Sequence, residues 1–460
     1  MKKLHHKIIV VLLTLVVLFV GVASYSGLNG LGYHKLIESQ ESGTVYFWYT
    51  NDLMTNYYNN VASIYNHTSR GANVVPKLVS ASEYLEHIYQ ASIKGEDYPD
   101  MYVITSDAME KAYLAGLTMP VAAEKDVKKA FPEVAVEAAS YDNNLLGYPF
   151  YFDTSTLVYN KTMLEEIALD QFQIQAAAEG VENPEEIVVP EENIANLVNI
   201  MIPETIDELI ELSNNLEAPD GLETVFKWNI NDIFFNYFYL GKYATLTDKE
   251  IDIFNEDIAA CMEIFQHVTE YFYMDAETVS TESILQEFME GKVLFTILDS
   301  ESALKLETAN AEGLVAFEYD YALTPDPGKI PQEDESLMEN AASYEGRPLS
   351  VTNVVVVNGY TNFPETANDF ATFLTMESTG VDQLYEKTGY IPANINAPTS
   401  SNMELIFKSE YADSATIPPY MVTSNFWMLL ENAFNEIWDG ADAQTILEEV
   451  ENRLKNQIPQ

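Results

Sequence analysis

Residues 148–161 read YPFYFDTSTLVYNK, a run of aromatic and β-branched residues that follows a turn at residues 143–147. Residues of these two types favour extended chain over helix. Before this run strand and helix patterns alternate, whereas helix patterns dominate after it. We therefore interpret residues 148–161 as the segment in which the chain crosses from a first lobe into a second.

The sequence that precedes the crossing alternates between strand and helix patterns. Such alternation predicts a mainly parallel sheet with helices on both faces and a ligand crevice at the carboxyl ends of the strands. Asp52 and Asp107 fall just past two of the predicted strands, so both are candidates to face that crevice. Ser82 is the predicted N-cap of the helix after the second strand. The predicted strands are TVYFWY (44–49), NVVPKLV (73–79) and PDMYVIT (99–105).

The chain after the crossing has three distinctive parts. Residues 164–200 are acidic, poor in aromatic residues and interrupted by prolines, which predicts a surface insertion without ligand chemistry. Residues 228–243 are too rich in aromatic and apolar residues for a surface loop, so they should line a core or a cleft. The C-terminal part is predicted to be helical, with helix patterns at residues 367–376, 381–389, 424–438 and 443–455.

The composition is strongly acidic, with 72 Asp and Glu against 23 Lys and Arg and a net charge of -49. A chain with so few cations cannot neutralise phosphates, which excludes nucleic acid as a partner. The same charge repels anionic small molecules and favours a neutral or cationic ligand. Cys261 is the only cysteine, so an intrachain disulfide or a cysteine-built metal cluster is excluded. Its apolar neighbours predict a buried thiol on a helix.

The N-terminus carries a basic start and then an apolar run from Ile8 to Ala23. This pattern predicts an export signal, with residues 1–43 forming the signal or a membrane anchor plus a linker. The run is intermediate in length between a signal-peptide core and a spanning helix, so cleavage and retention both remain open. No cysteine follows the run, so the chain is not expected to be a lipoprotein.

Signatures of catalysis are missing from the sequence. The histidines beyond the N-terminal region, His67, His87 and His267, do not have the spacing of a zinc hydrolase. There is no nucleophile elbow and no phosphate-binding loop. We therefore expect neither an enzyme nor a cofactor or metal site, although 72 acidic residues leave a glycoside hydrolase with paired carboxylates as an open alternative.

Aromatic residues recur beside carboxylates or amides along the chain. A sugar needs both types, because its apolar face packs on an aromatic ring while its hydroxyls donate hydrogen bonds to carboxylates. Any one of these aromatic residues is more often a core residue than a ligand contact. The pairs are Trp48 near Asp52, Tyr151 near Asp153, Phe234 near Asp232, and Trp427 near Asn425.

The run YPFYFDTSTLVYNK is similar to a crossing segment of the maltose- and maltodextrin-binding proteins among the family 1 extracellular solute-binding proteins. Further segments resemble the same family in the same order, so the resemblance spans roughly residues 44–455. These segments are YFWYTND, DYPDMYVITSD, AYLAGL, PETIDEL, WNINDIFF, FMEGKVLFTI, PETANDFATFL and SNFWMLLENAF.

The resemblance implies a set of sugar-contacting residues. Matched by position, the family's acids correspond to Asp52, Asp107, Asp153 and Asp232, and its stacking aromatics to Phe234 and Trp427. The chain also departs from the family, because Leu53 replaces a basic residue, Ile104 replaces a tryptophan, and residues 299–301 read Asp-Ser-Glu instead of Gly-Pro-Trp. The sugar class is therefore better supported than maltose itself.

The resemblance also implies the periplasmic-binding-protein-like α/β fold, with each lobe a mainly parallel sheet flanked by helices. We expect three hinge crossings, near residues 150–154, 284–288 and 347–352. The predicted lobes comprise residues 44–152 with 286–348, and residues 153–285 with 349–460.

The implied function is that of an extracytoplasmic receptor. Such a receptor binds a neutral oligosaccharide between its closing lobes and delivers it to the permease subunits of an ABC transporter. We expect a monomer. A membrane-tethered sugar sensor, a glycoside hydrolase and a peptide-binding variant of the same fold are the alternatives.

Overall fold

The structure is a computed structural model that describes residues 43–68, 73–246, 250–272, 274–276, 278–331, 341–416 and 426–456. The predicted export segment, Ile8 to Ala23, and Asn425 lie outside the described residues. Within the described ranges, no helix has both the length and the apolar character needed to cross a membrane.

The strands form where the sequence concentrates β-branched and aromatic residues, and the first three occupy the predicted positions. They are β1 (Thr44–Tyr49), β2 (Asn73–Leu78), β3 (Met101–Thr105), β4 (Ser140–Tyr141), β5 (Asn144–Leu145), β6 (Gly147–Asn160), β7 (Thr224–Lys227), β8 (Thr245–Leu246), β9 (Ile251–Asp252), β10 (Val293–Asp299), β11 (Tyr319–Ala322), β12 (Gly328–Lys329), β13 (Ser343–Tyr344), β14 (Leu349–Val357), β15 (Ile391–Pro392) and β16 (Ala415–Thr416).

The α-helices carry apolar residues on the face that packs against the sheet or another helix. They are α1 (Thr55–Asn66), α2 (Tyr84–Lys94), α3 (Met109–Leu114), α4 (Glu124–Ala130), α5 (Glu133–Ala138), α6 (Lys161–Ala178), α7 (Glu191–Met201), α8 (Ile206–Asn215), α9 (Ile233–Asn236), α10 (Glu256–Val268), α11 (Thr281–Met289), α12 (Ser300–Ala311), α13 (Pro364–Met376), α14 (Ser378–Val381), α15 (Leu384–Thr388), α16 (Asn402–Ala412), α17 (Phe426–Trp438) and α18 (Ala443–Lys455).

Strand β6, the predicted crossing segment, joins the two halves of the main sheet. The strand order is β2-β1-β3-β14-β6-β10-β7. As far as Thr154, β6 pairs with β14, and from Ser155 onward it pairs with β10. The change of partner between these two adjacent residues divides the sheet, so a single continuous strand connects the two parts of the molecule.

The sheet is mixed. Its outer strands pair in parallel, β1 with β2 and β3 on one side and β10 with β7 on the other, as the strand and helix alternation predicts. The central strand β6 pairs antiparallel with both β14 and β10. Local sequence patterns do not encode this antiparallel centre, because the relative direction of β14, β10 and β6 depends on how distant segments of the chain meet.

Two hydrophobic cores accompany the two parts of the sheet. The first packs around β1, β3 and β14 and includes Phe47, Tyr102 and Phe150. The second packs around β7, α10 and α17 and includes Trp228 and Phe434. The aromatic stretch 228–243, predicted to line a core or cleft, therefore supplies mainly the second core.

The elements that contain the other two predicted crossings also contribute to both cores. Residues 284–288 lie in helix α11, where Ile284 packs in the second core and Phe288 in the first. At the third crossing, Leu349 packs in the second core, and Val354, two residues beyond the crossing in the same strand β14, packs in the first.

The predicted lobe boundaries remain a prediction. The first predicted lobe includes residues 286–348, and β10 lies in this range. However, β10 pairs with β7 and with the second half of β6, and both belong to the second predicted lobe, which comprises residues 153–285 and 349–460.

Three local predictions have clear outcomes. Residues 164–200 form most of α6 and α7, and their middle part is largely exposed, as expected for a surface insertion. Cys261 is fully buried, as predicted. Ser82 is not the N-cap of α2, because Glu83 takes that position in a left-handed conformation with φ 53° and makes no side-chain cap.

Candidate functional site

A cavity of about 450 Å³ lies where the carboxyl ends of β1 and β3 meet β6, β14 and the start of α12. Loop residues that follow β1, such as Asn51, contribute to its lining, as does Thr105 at the end of β3. The carboxyl ends of parallel strands are where open α/β sheets bind ligands. The sequence predicted a crevice at this edge, and the structure has a cavity there.

Tyrosine side chains dominate the aromatic lining of the cavity. The rings of Tyr151 and Tyr390 lie 4.8 Å apart between centroids at an angle of 34°. Asn51 donates a hydrogen bond from Nδ2 to the Tyr390 hydroxyl over 2.8 Å. This bond holds the Tyr390 ring in place, although the two residues are far apart in the sequence. The tyrosines of the lining are Tyr49, Tyr58, Tyr84, Tyr151 and Tyr390.

Tyrosines suit a polyhydroxylated ligand, because each ring offers an apolar face and each hydroxyl can donate or accept a hydrogen bond. Burial raises the pKa of Tyr151, and burial also raises the pKa of Tyr390. Both hydroxyls therefore keep their protons at neutral pH and remain available as donors.

Asp153 is one of the two carboxylates in the cavity lining, with Glu301. It extends from β6 and accepts two hydrogen bonds from Ser300 at the start of α12, one from the backbone N–H at 2.9 Å and one from Oγ at 2.5 Å. Both bonds go to Oδ1, and no described residue donates to Oδ2. Burial, reinforced by the negative charge of Asp299, raises the pKa of Asp153 to about 7.

Other charged groups surround Asp153. Asp299 caps α12 by accepting a hydrogen bond from the Ser302 N–H at 2.7 Å. Glu301 lines the cavity and pairs with Lys305 at 3.2 Å. Three positions where the chain departs from the resembling family, Ile104, Ser300 and Glu301, thus lie in the cavity lining itself.

Four of the predicted contacts fall in and around the cavity. Tyr151 of the first predicted lobe and Asp153, the first residue of the second, line it. Asp52 and Asp107 are exposed in short 3₁₀ turns and do not line it, although their neighbours Asn51 and Ala108 do.

Trp48, a predicted sugar contact, lies outside the cavity lining, and its role stays a prediction. Only 7% of it is exposed, it does not line the cavity, and the Lys77 ammonium lies 4.8 Å from its ring centroid. Strand β1 alternates its side chains between faces, so Trp48 and its neighbour Tyr49, which does line the cavity, point to opposite sides of the sheet.

The predicted contacts Asp232, Phe234 and Trp427 form a separate group. Asp232 caps the short helix α9 through a 2.9 Å hydrogen bond from the Phe234 N–H, and α9 packs against α17, which carries Trp427. Burial, with a contribution from the negative charge of Asp299, raises the pKa of Asp232. Phe234 and Trp427 are half-buried and do not line the cavity. Their roles as sugar contacts stay predictions.

Sequence reasoning did not identify Tyr390, Asn51 or Ser300 as site residues. Tyr390 reaches the cavity from far along the chain, 339 residues beyond its partner Asn51. Ser300 carried a signal, since it lies within the departure from the Gly-Pro-Trp pattern. Among the described residues, no group of three or more His, Cys, Asp or Glu side chains has the arrangement of a metal site.

A central strand shared by two half-sheets, with a cavity beside it, is the architecture of two-lobed α/β binding proteins. The chain belongs to the bacterial extracellular solute-binding protein family, whose model matches residues 69–412. This membership places the protein among solute-binding proteins that act outside the cytoplasm.

Two curated relatives are similar over most of their length. A maltotriose-binding protein of Pyrococcus abyssi is 21% identical over 387 residues, which cover 81% of this chain and 74% of that protein. A galactooligosaccharide-binding protein of Bacillus subtilis is 21% identical over 382 residues, which cover 78% of this chain and 77% of that protein.

Solved structures establish the fold as the periplasmic-binding-protein-like α/β fold. An extracellular solute-binding protein of Staphylococcus aureus, solved in complex with maltose, matches with a TM-score of 0.70 and 18% identity, over 90% of this chain and 97% of that one. A cyclo/maltodextrin-binding protein, solved with maltotetraose, matches with a TM-score of 0.68 and 18% identity, over 92% of this chain and 98% of that one.

Proposed function

We propose that this protein is the substrate-binding component of a carbohydrate ABC transporter and binds an oligosaccharide of the maltose or maltodextrin type. The observation that carries the proposal is the cavity beside β6, where tyrosine rings and the Asp153 carboxylate face one space. An aromatic ring can pack on the apolar face of a sugar, and a carboxylate can accept hydrogen bonds from its hydroxyls. The maltotriose named for the Pyrococcus relative supports this type of sugar, and the galactooligosaccharide named for the Bacillus relative supports the wider class of oligosaccharides.

Binding is proposed to work by closure of two lobes about the β6 junction. A ligand that contacts both sides of the cavity stabilises the closed state by its differential affinity for that state. The pair Asp153 and Ser300 lies beside the junction, because the partner of β6 changes directly after Thr154. Closure would bring the second group, Asp232, Phe234 and Trp427, into contact with the sugar.

The cellular setting is part of the same proposal. The apolar segment from Ile8 to Ala23 would export the chain and either be removed or tether it to the outer face of the cytoplasmic membrane. The closed, sugar-loaded form would then engage permease subunits. No covalent chemistry is needed for this role, so we propose a receptor without enzymatic activity.

Isothermal titration calorimetry of the purified chain against maltose, maltotriose, maltotetraose and a galactooligosaccharide tests the proposal. At least one sugar is expected to bind. Replacing Tyr390 by Ala removes a ring and the partner of Asn51, and it should weaken binding by about tenfold or more, the effect of losing roughly 1.4 kcal/mol. Tyr360→Ala is the matched control, because Tyr360 is 41% exposed and does not line the cavity.

Trp427→Ala tests the second group, and weaker binding in this variant would place Trp427 at the sugar in the closed form. Binding that Tyr390→Ala leaves intact would contradict the assignment of the cavity. Cleavage of the sugars during incubation, abolished by Asp153→Asn, would replace the receptor proposal with that of a glycoside hydrolase. If the sugars remain intact and the binding partner is a kinase instead of a permease, the protein would be a membrane-tethered sugar sensor.

A further inference from the structure

Three neighbouring strands place one row of side chains on the sheet face beside the cavity. In the strand register, Asn353 of β14 lies directly opposite Tyr151 of β6 and Thr105 of β3. All three residues line the cavity. Residues directly opposite each other in an antiparallel pair point to the same face, with their Cβ atoms about 4.5–5.5 Å apart. The row therefore presents an amide, a phenol and a hydroxyl to one space.

A β-bulge follows directly after this row. The next residue of β14, Val354, pairs with Pro149, so β6 carries Phe150 as an extra residue between Pro149 and Tyr151. Proline has no backbone N–H to donate to a sheet ladder, and within a sheet it is tolerated at such irregularities. Bulges occur often beside functional sites, where the local kink re-aims a side chain. The bulge therefore helps to set the direction of the row that contains Asn353.

The amide of Asn353 has no hydrogen-bond partner in the part of the chain that the structure describes. The side chain is half-buried at the edge of the cavity. The lining contains one other side-chain amide, Asn51, which donates to Tyr390 and accepts a hydrogen bond from the Leu53 N–H at 3.1 Å. An amide offers two donors and an acceptor, so Asn353 brings unused hydrogen-bonding capacity to the cavity.

Asp153 lies diagonally across from Asn353 on the same face. Its direct partner in the register is Val351, two residues before Asn353 in β14. Diagonal neighbours of an antiparallel pair lie roughly 7–8 Å apart, so a small group between them can reach both side chains. Both hydrogen bonds from Ser300 go to Oδ1 of Asp153, and no described residue donates to Oδ2. The pair thus offers an acceptor on one side of a gap and donors on the other.

We propose that Asn353 and Asp153 together bind one hydroxyl of the oligosaccharide, which makes Asn353 a specificity-determining residue of the cavity. The inference rests on the proposed binding of carbohydrate in this cavity and names the group of the sugar that is recognised. A hydroxyl can donate its hydrogen to the carboxylate while its oxygen accepts from the amide N–H. Hydrogen bonds in such a chain polarise and strengthen each other. A sugar residue that is deoxygenated or substituted at this hydroxyl is therefore disfavoured.

The surroundings of the gap sharpen this requirement. Val351 lines the cavity beside the pair, and its side chain offers no hydrogen bond. Ser300 already donates its hydroxyl hydrogen to Asp153. A ligand without a hydrogen-bonding atom at this place would leave Asn353 and Asp153 desolvated and unpaired. The cost of such unpaired polar groups exceeds the net contribution of a typical hydrogen bond.

A structural role for Asn353 is the competing explanation. Strand β14 reads LSVTNVVVV, so Asn353 interrupts a run that is rich in β-branched residues. Asparagine is depleted in strands and lowers their stability unless its amide is used. An asparagine that stabilised the bulge would bond to the backbone of a neighbouring strand, and the described residues show no such bond. A ligand contact accounts for an asparagine at this place, whereas the fold of β14 does not.

Calorimetry with deoxygenated sugars tests the inference. The purified chain is titrated with the tightest binder of the four sugars named above and with the full set of its monodeoxy forms. Asn353→Ala should weaken binding of the parent sugar about three- to tenfold, the effect of losing one hydrogen bond. One monodeoxy form should bind the wild type about tenfold more weakly than the parent sugar does. In Asn353→Ala the same form should bind within about threefold of the parent, because the two losses remove one interaction.

Two further variants complete the experiment. Asn353→Thr places a residue type that favours strands at the same position but removes the amide, so it should fold and show the same selective loss. Asn452→Ala is the matched control, because Asn452 is exposed on α18 and does not line the cavity. This control should bind the parent sugar and each monodeoxy form like the wild type. Circular dichroism checks that all variants are folded.

The outcomes separate the two proposals. Wild-type affinity in both Asn353 variants would overturn the role of Asn353 and leave the receptor proposal standing. An equal further loss for every monodeoxy form, or unfolding of both variants, would show that Asn353 is structural and would overturn its role as well. Failure of all four sugars to bind the wild type would overturn both proposals.

Discussion

Glu410 shows at the scale of one residue how burial controls ionisation in this protein. It lies near the end of α16, 6% exposed, and accepts a hydrogen bond from the Thr324 N–H at 3.2 Å. Burial, with the charges of Asp326 and Asp413, raises its pKa to about 8. The ionised form is therefore unfavourable in the folded chain, since a buried carboxylate needs more compensation than one amide provides.

The pH dependence of stability follows from this shift. The folded pKa of Glu410 lies above its unfolded value, so folded chains bind more protons and stability falls as pH rises from the ordinary carboxyl pKa towards about 8. Glu410→Gln removes the ionisable carboxyl, so this part of the fall in stability with rising pH should disappear. The variant should exceed the wild type in free energy of unfolding by roughly 1–3 kcal/mol at pH 8, with a smaller difference at pH 5.

Urea unfolding followed by circular dichroism at the two pH values measures this difference. Glu436→Gln is the control, because Glu436 is exposed and no buried charge is removed with it. A Glu410→Gln variant that is less stable than the wild type at pH 8 would show that the carboxylate is well compensated where it lies.

Helix α17 shows how an amphipathic element is fixed by the core that it covers. Leu430, Phe434 and Ile437 are fully buried in the second core, whereas Met428 on the other face is 56% exposed. The helical spacing of the buried residues was readable in the sequence, which predicted a helix over residues 424–438. The helix packs against α9, α10 and α18, so it supports the group that carries Asp232 and Phe234.

Leu430→Ala should lower the free energy of unfolding by about 2–5 kcal/mol, because it removes buried methyl groups and leaves a cavity in the second core. Met428→Ala is the matched control in the same helix and should change stability by about 0.5 kcal/mol or less. Chemical denaturation gives both values. Similar losses in the two variants would mean that α17 does not pack on the second core through Leu430.

At the scale of the whole molecule, the large negative charge affects the stability of the fold. A net charge of -49 spreads repulsion over the folded surface, and compact chains suffer more from it than unfolded ones. Many of the ion pairs join residues on one helix turn, such as Lys128 with Glu124, and exposed pairs of this kind contribute little.

Salt should therefore stabilise the protein. Raising sodium chloride from low concentration to about 0.15 M shortens the screening length to about 8 Å and weakens the repulsion. The melting temperature should rise over this range and then level off. Equal effects of sodium, potassium and caesium chloride are the control for screening, and a melting temperature that falls with salt would contradict the argument.

Much of the fold was predictable because its signals are local. The strand pattern of residues 44–49 and the crossing at 148–161 depend on neighbouring residues alone, and both occur as β1 and β6. The pairing of strands was not predictable from these patterns, because antiparallel contacts of β14 and β10 with β6 join distant segments. The prediction of Ser82 as an N-cap was wrong, because Glu83 takes that position in a left-handed backbone conformation. Helix propensities do not predict such a conformation for a residue other than glycine.

The sequence by itself determined the composition, the apolar N-terminal run that predicts export, the residue types suited to sugar, and the neighbours Tyr151 and Asp153 that β6 carries into the cavity. Only the tertiary structure decided which partners meet them. Ser300 reaches Asp153 across 147 residues, and Tyr390 meets Asn51 across 339. Local periodicity fixes the face on which a side chain points, whereas the register and order of distant strands fix what lies opposite it.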